Sequence, residues 1–252
     1  MDRLAAQAGY ERSIVEGSGF RHVVYTTVRR PAEAKRLHVY IGSDGTPWAD
    51  GNRISSDPTP RNPLALRLMS ADPAFSVYVG RPCYLGTASD DACTNHIWTS
   101  ARYSPRVVAS MASAISRVVA DYRPAEVVLI GYSGGGTLAV LLAGDIAGLA
   151  GVITIAGNLD VAAWSATHGY LPLTESIDPA KMPMDAGPDV PFVHLVGSND
   201  QIVPRRFTEG YAAEHECHAV IVLDGYDHAC CWETRWPETL RRAEERLRSA
   251  CE

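Results

Sequence analysis

Short apolar runs alternate with amphipathic stretches along this chain, and the two kinds of segment predict different elements. Apolar runs, many of them β-branched, predict strands at 23–28, 37–41, 75–79, 127–130, 152–156, 192–196 and 219–223. The later runs are nearly continuous, the pattern of strands buried on both faces. Between them lie helices with recognisable ends. Ser104-Pro105 forms an N-cap and first-turn pair. The residues after it place Val108, Met111, Ile115 and Val118 on one face, and Pro124 stops the helix. A last helix over 234–250 turns Leu240, Ala243 and Leu247 inward. It sets Glu238–Arg242, Arg241–Glu245 and Glu244–Arg248 at i,i+4 spacing on a solvated face. The alternation predicts an α/β fold over 1–252: one domain, with a mainly parallel central sheet flanked by helices. The segment 158–191 is the one long stretch without a clear period. It holds Trp164, His168, Tyr170 and several prolines, and is read as a small cap inserted before the strand at 192.

Composition narrows the classes. The chain has 252 residues, 46% hydrophobic and 21% charged, ordinary for a folded domain that needs no metal or staple to hold a core. A net charge of −6 without a basic block argues against a nucleic-acid partner. The most apolar stretch, 137–157, carries Asp145 and several glycines. It therefore reads as helix, turn and buried strand rather than a membrane span. Residues 1–19 lack the apolar core of a signal peptide.

The sharpest chemical signal is Gly131-Tyr132-Ser133-Gly134-Gly135, directly after the strand at 127–130 and before a helix-forming run. A nucleophile on a tight strand-to-helix turn is exposed, and small neighbours allow the turn. The following amide then points at a developing oxyanion. Its partners are expected in the order acid, then histidine, each after a later strand. Asp200 follows the strand at 192–196, and His228 follows the strand at 219–223. His228 would take the proton from Ser133, while Asp200 would hold the imidazole in the right tautomer. Asp160 is the rival acid, because it also follows a strand; Asp224 and Asp227 beside Gly225 read as turn residues.

Two other classes compete. Gly134 to Ala139 also fits G-x-G-x-x-A, with Asp160 about 20 residues further on, the fingerprint of a dinucleotide-binding oxidoreductase. That turn normally belongs to the first strand-helix unit, whereas several strands precede it here. A non-catalytic binding module is the third reading; it leaves the ordered serine, acid and histidine unexplained.

With these residues in place, the chain resembles α/β-hydrolases of the esterase/lipase type. It is more narrowly similar to uncharacterised bacterial α/β-hydrolases carrying Y-I-E-G-D-G-x-P-W. The segment here is Tyr40-Ile41-Gly42-Ser43-Asp44-Gly45-Thr46-Pro47-Trp48, with Gly42-Ser43 in place of Glu-Gly. Further shared features are Arg81-Pro82-Cys83, Trp98 through Arg102-Tyr103-Ser104, and Gly157-Asn158-Leu159-Asp160 with Trp164. The resemblance implies a serine hydrolase cleaving a small-molecule carboxylic ester with no cofactor and no metal. It assigns the oxyanion-hole amides to Asp44 and Gly134. Thioesterase or acyltransferase activity would use the same residues. Trp48 and Trp98 fit either core packing or substrate contact.

None of the six cysteines has C-x-x-C spacing. Cys217 and Cys230 lie a strand length apart and should not pair, whereas the final helix returns Cys251 towards Cys217. Cys83 and Cys93 flank a loop at the same edge as Cys230 and Cys231. Disulfides would imply a periplasmic or secreted protein, and free thiols a cytoplasmic one.

Overall fold

Every apolar run forms a strand in the computed structural model, which describes residues 1–27, 35–182 and 190–251. These strands are β2 (Arg21–Thr27), β3 (Arg36–Ile41), β4 (Ser76–Val79), β5 (Glu126–Tyr132), β6 (Leu149–Ile155), β7 (Phe192–Gly197) and β8 (His218–Leu223). Val28 of the first predicted run and 183–189 of the predicted cap segment lie outside the described residues. A strand the pattern did not predict, β1 (Tyr10–Glu16), precedes them. All eight form one sheet in the order β1-β2-β4-β3-β5-β6-β7-β8. Strands β3 to β8 run parallel, and the β1 and β2 margin is antiparallel.

Burial follows position in the sheet. Strands β4 and β7 are buried throughout, as is β3 beyond Arg36. Strand β8 departs from the expectation of burial on both faces. It is the outer strand, so Ala219 and Ile221 point inward while Val222 is 37% exposed. At the opposite margin, Glu11, Arg12, Ser13 and Ile14 of β1 are all exposed. A strand wet on both sides carries no alternation to read.

Among the described residues, seven α-helices complete the fold: α1 (Asp2–Gln7), α2 (Leu64–Ser70), α3 (Pro105–Tyr122), α4 (Gly134–Leu141), α5 (Val161–His168), α6 (Arg205–Ala213) and α7 (Trp236–Leu247). Ser104 caps α3 by accepting from the Val107 N–H, and Val108, Met111, Ile115 and Val118 are buried. The helix ends on Arg123 at φ +49°, just before Pro124. The stretch 137–157 is helix, turn and strand, and no described helix is long and apolar enough to cross a membrane.

Helix α7 buries Leu240, Ala243 and Leu247 as predicted, but it begins at Trp236 and adds that indole to the core. Of its three predicted ion pairs only Arg241–Glu245 forms, at 2.6 Å. Glu238 pairs instead with Arg235 at 2.8 Å, and Glu244 with Arg36 at 3.2 Å. Helical spacing cannot anticipate these pairs, because the competing partners come from outside the helix or from the sheet.

Glu244 also lies 3.3 Å from Nε2 of His38, whose Nδ1 lies 2.7 Å from Asp72. Asp72 in turn accepts from Tyr40, and Tyr40 from the Trp236 indole. This buried chain ties α7 to β3. Burial pulls His38 down, but the carboxylates of Asp72 and Glu244 outweigh it and lift the imidazole from 6.5 to about 9. A raised folded-state pKa contributes stability that is fully present below about pH 6.5 and lost as pH rises through about 9. Unfolding free energy should therefore fall by on the order of 3 kcal/mol across that window, and His38→Gln should flatten the slope. Denaturant melts at stepped pH measure this; equal slopes in both proteins would refute it.

The cysteines pair as Cys83–Cys93, Cys217–Cys251 and the adjacent Cys230–Cys231. The Cα atoms of Cys217 and Cys251 are 4.1 Å apart, because α7 runs back along the sheet to the start of β8. Closing a loop of 34 residues constrains the unfolded chain, so replacing both cysteines by serine should cost about 3–4 kcal/mol. Denaturant melts with and without reductant, alongside intact-mass thiol counting, check the value.

Candidate active site

The loops that leave the carboxyl ends of the parallel strands gather at one edge of the sheet, where ligands bind in open α/β folds. Strand β5 ends there in the turn that carries Ser133. This residue has φ +55° and ψ −121°, a conformation that costs a non-glycine residue about 1–3 kcal/mol. Neighbouring bonds hold it in place. Its N–H donates to the Ile155 carbonyl at 2.8 Å, and its own carbonyl accepts from the Gly136 N–H at 2.8 Å. The surrounding glycines let the backbones close. A Cβ on Gly131 would overlap the Gly135 carbonyl, and one on Gly135 would overlap the Ile41 carbonyl at the end of β3.

His228 Nε2 lies 3.0 Å from Ser133 Oγ, and its Nδ1 lies 2.8 Å from Asp200 Oδ2. Nδ1–H donates to the carboxylate, which leaves Nε2 free to accept the serine proton. The structure thus brings together the three residues that the sequence order singles out. Asp200 is only 3% exposed, and its other oxygen accepts from the N–H groups of Ile202 and Val203, each at 2.8 Å. Those bonds fix the carboxylate before any substrate arrives. The His228 carbonyl accepts from Tyr132 Oη at 2.9 Å and from Trp232 Nε1 at 3.2 Å, so strand β5 also steadies the histidine loop. Burial raises the Tyr132 phenol, with Asp200 and Asp227 adding to the shift, so it stays a donor.

The rival acid has a different task. Asp160 is the N-cap of α5 and accepts from the Ala163 N–H at 2.9 Å. Asp227 likewise closes its own turn on Ala229 and Cys230, and Asp224 accepts from Ser198. Trp98 is core, its indole donating to the Ser55 carbonyl at 3.1 Å, while Trp48 is half-buried and bridges to Ile54.

Asp44 follows β3, and Gly134 is the first residue of α4, where a helix leaves its N–H groups unpaired. Sequence reasoning assigns Asp44 a backbone role and misses its side chain. Oδ1 accepts from Arg81, and Oδ2 from Arg102 at 3.1 Å and from Tyr103 Oη at 2.6 Å. Burial alone would raise this carboxyl; Arg102, Arg81 and the Tyr103 hydroxyl outweigh it and hold it down at about 2. A Cβ on Gly134 would overlap Asp44 Oδ1 and sit 2.5 Å from Tyr103 Oη. That filled approach also counts against a dinucleotide phosphate on these glycines. The motif fragments around Arg81 and Arg102-Tyr103 were the available signal, but nothing in the sequence connects them to Asp44.

Within 158–191, the described part contains α5 and a short 3-10 turn at Pro179–Lys181. Trp164 Nε1 and His168 Nε2 both bond the Ile202 carbonyl, at 2.8 and 2.9 Å, which ties α5 to the Asp200 loop.

No protein-family model matches the chain, and no curated protein matches it in sequence. Its shape does have counterparts among solved structures. An esterase from Pyrococcus furiosus is similar at TM-score 0.66 and 11% identity, over 98% of this chain and 95% of that one. An α/β serine hydrolase without lid from Xanthomonas campestris is similar at TM-score 0.58 and 14% identity, over 95% and 94%. An α-β serine hydrolase homologue from Coxiella burnetii is similar at TM-score 0.56 and 15% identity, over 95% and 96%. Likeness at these identities is likeness of fold, and with the strand order described above it establishes that this chain has the α/β-hydrolase fold.

Proposed function

We propose that the protein is a serine hydrolase that cleaves carboxylic esters through an acyl-enzyme on Ser133. One observation carries the reading: a serine on a strained strand-to-helix turn lies 3.0 Å from an imidazole whose other nitrogen lies 2.8 Å from a buried carboxylate. In this reading Ser133 Oγ attacks the ester carbonyl as its proton passes to His228 Nε2, and Asp200 stabilises the imidazolium. The N–H groups of Asp44 and Gly134 receive the oxyanion. The imidazolium then protonates the departing alcohol. Water, activated by the same nitrogen, releases the acid. The described part of 158–191 serves as the cap on this site, supported by the bonds that tie α5 to the Asp200 loop. The three cysteine pairs favour an oxidising compartment, periplasmic or extracellular. Thioester cleavage or acyl transfer would use the same groups, and a panel of chromogenic esters, thioesters and acceptor alcohols separates them.

Ser133→Ala should leave the protein folded and lower ester turnover by about 10⁶ in kcat. Turnover unchanged in that variant would end the serine-hydrolase reading. The two acids separate in the same assay. Asp200→Asn should lower kcat by on the order of 10⁴ by presenting the wrong hydrogen bond to His228. Asp160→Asn should keep its helix cap and change kcat by less than about threefold. The opposite ranking would move the acid to the end of β6.

A further inference from the structure

The side chain of Asp44 stands in an arrangement that core stability does not explain. Two guanidinium groups, of Arg81 and Arg102, converge on this single carboxylate, with side chains only 2% and 7% exposed. Arg81 Nη2 donates to the Arg102 carbonyl at 2.7 Å, and Arg102 Nε to the Thr99 carbonyl at 2.8 Å. Arg81 Nε has no partner among the described residues. Burying charge is costly, and well-packed apolar residues of the same volume often give equal or better stability. A surplus of one positive charge in a cluster that packs against Gly134, the residue after the candidate nucleophile, therefore points to a purpose other than holding the core.

The geometry around Asp44 suggests that purpose. Its carbonyl accepts from Tyr84 Oη at 2.9 Å, while its carboxylate accepts from Arg81, Arg102 and Tyr103. Both ends of the residue are thus fastened, and the backbone between them is fixed. The carboxylate and the Tyr103 hydroxyl sit directly against the α-carbon of Gly134, so the same contact sets the distance between the β3 loop and the first turn of α4. The rings of Tyr84 and Tyr103 lie 5.2 and 5.4 Å from the Arg81 guanidinium and shield it from water.

We infer that Arg81, Arg102 and Tyr103 are positioning residues, acting through the Asp44 carboxylate to fix the Asp44 and Gly134 amides around the oxyanion and to surround it with net positive charge. This rests on the serine-hydrolase reading above. Charge developing on the carbonyl oxygen is stabilised by donors already in place, in a setting where water does not screen them. The network contributes to the transition state and little to substrate binding.

The test uses the full chain, with Asp44→Asn and the milder Tyr103→Phe, which removes one hydroxyl and keeps its ring over Arg81. A nitrophenyl phosphonate titrates the competent sites, so kcat for nitrophenyl acetate is expressed per site and any unfolded fraction drops out. A trifluoromethyl ketone supplies the second readout. Ser133 Oγ bonds to its carbonyl carbon, the serine proton passes to His228, and the carbonyl oxygen takes the negative charge as a hemiketal. The expected result is a loss in kcat per site of about tenfold for Tyr103→Phe and roughly 100-fold for Asp44→Asn. KM should stay within about twofold, and the ketone should weaken by the same factors. Normal kcat per site and normal ketone affinity in Tyr103→Phe, with only a lowered melting temperature, would overturn the inference. A folded wild-type protein that neither hydrolyses the ester nor reacts with the phosphonate would instead overturn the hydrolase reading, and this inference with it.

Discussion

The candidate active site depends on how closely the first turn of α4 approaches the ends of β3 and β5. Gly131 and Gly135 meet backbone to backbone, and Gly135 meets the Ile41 carbonyl, with no room for a side chain at either contact. This approach holds Ser133 in its positive-φ conformation. It also brings the β3 loop beside Gly134 and aims the serine at a histidine from the far margin of the sheet. One extra methyl group in that run would push the helix off the strands and separate the groups it assembles. Strain at Ser133 persists because buried β5 and the Ile155 carbonyl of β6 hold the chain on both sides.

Strand β3 connects this edge to the rest of the molecule. A buried ionic cluster lies near its start, where His38 meets Asp72 and Glu244, and another beyond its end, where Asp44 meets two arginines. The two clusters have opposite net sign and different consequences. The first secures a helix, and its contribution rises or falls with proton concentration. The second holds its carboxylate ionised far into the acid range, so it keeps its charge pattern wherever the fold survives.

What could be read from the sequence divides along physical lines. The serine turn was legible because its glycines and its position between strand and helix are local. Asp200 and His228 were legible because parallel strands must deliver their loops to one edge. Asp160 rivalled Asp200 because both follow a strand, and the structure separates them: Asp160 is occupied in capping α5. Strand β1 escaped because its residues are wet on both faces, and two of the three ion pairs assigned to α7 failed because Arg235 and the sheet reach those glutamates first. The clamp on Asp44 joins residues from the loops after β3, after β4 and before α3, and no periodicity relates them.

The distance along the chain between the serine and the histidine beside it has a consequence for how the molecule comes into being. Ser133 and His228 are 95 residues apart, and the histidine follows β8, the outermost strand of the parallel edge. During synthesis the serine turn leaves the ribosome first and has β3, β5 and β6 available to shape it. The imidazole beside it arrives only when the last strand has docked. A chain that stops before β8 therefore carries the serine turn without its histidine, and the contact between them closes in the final step of assembly.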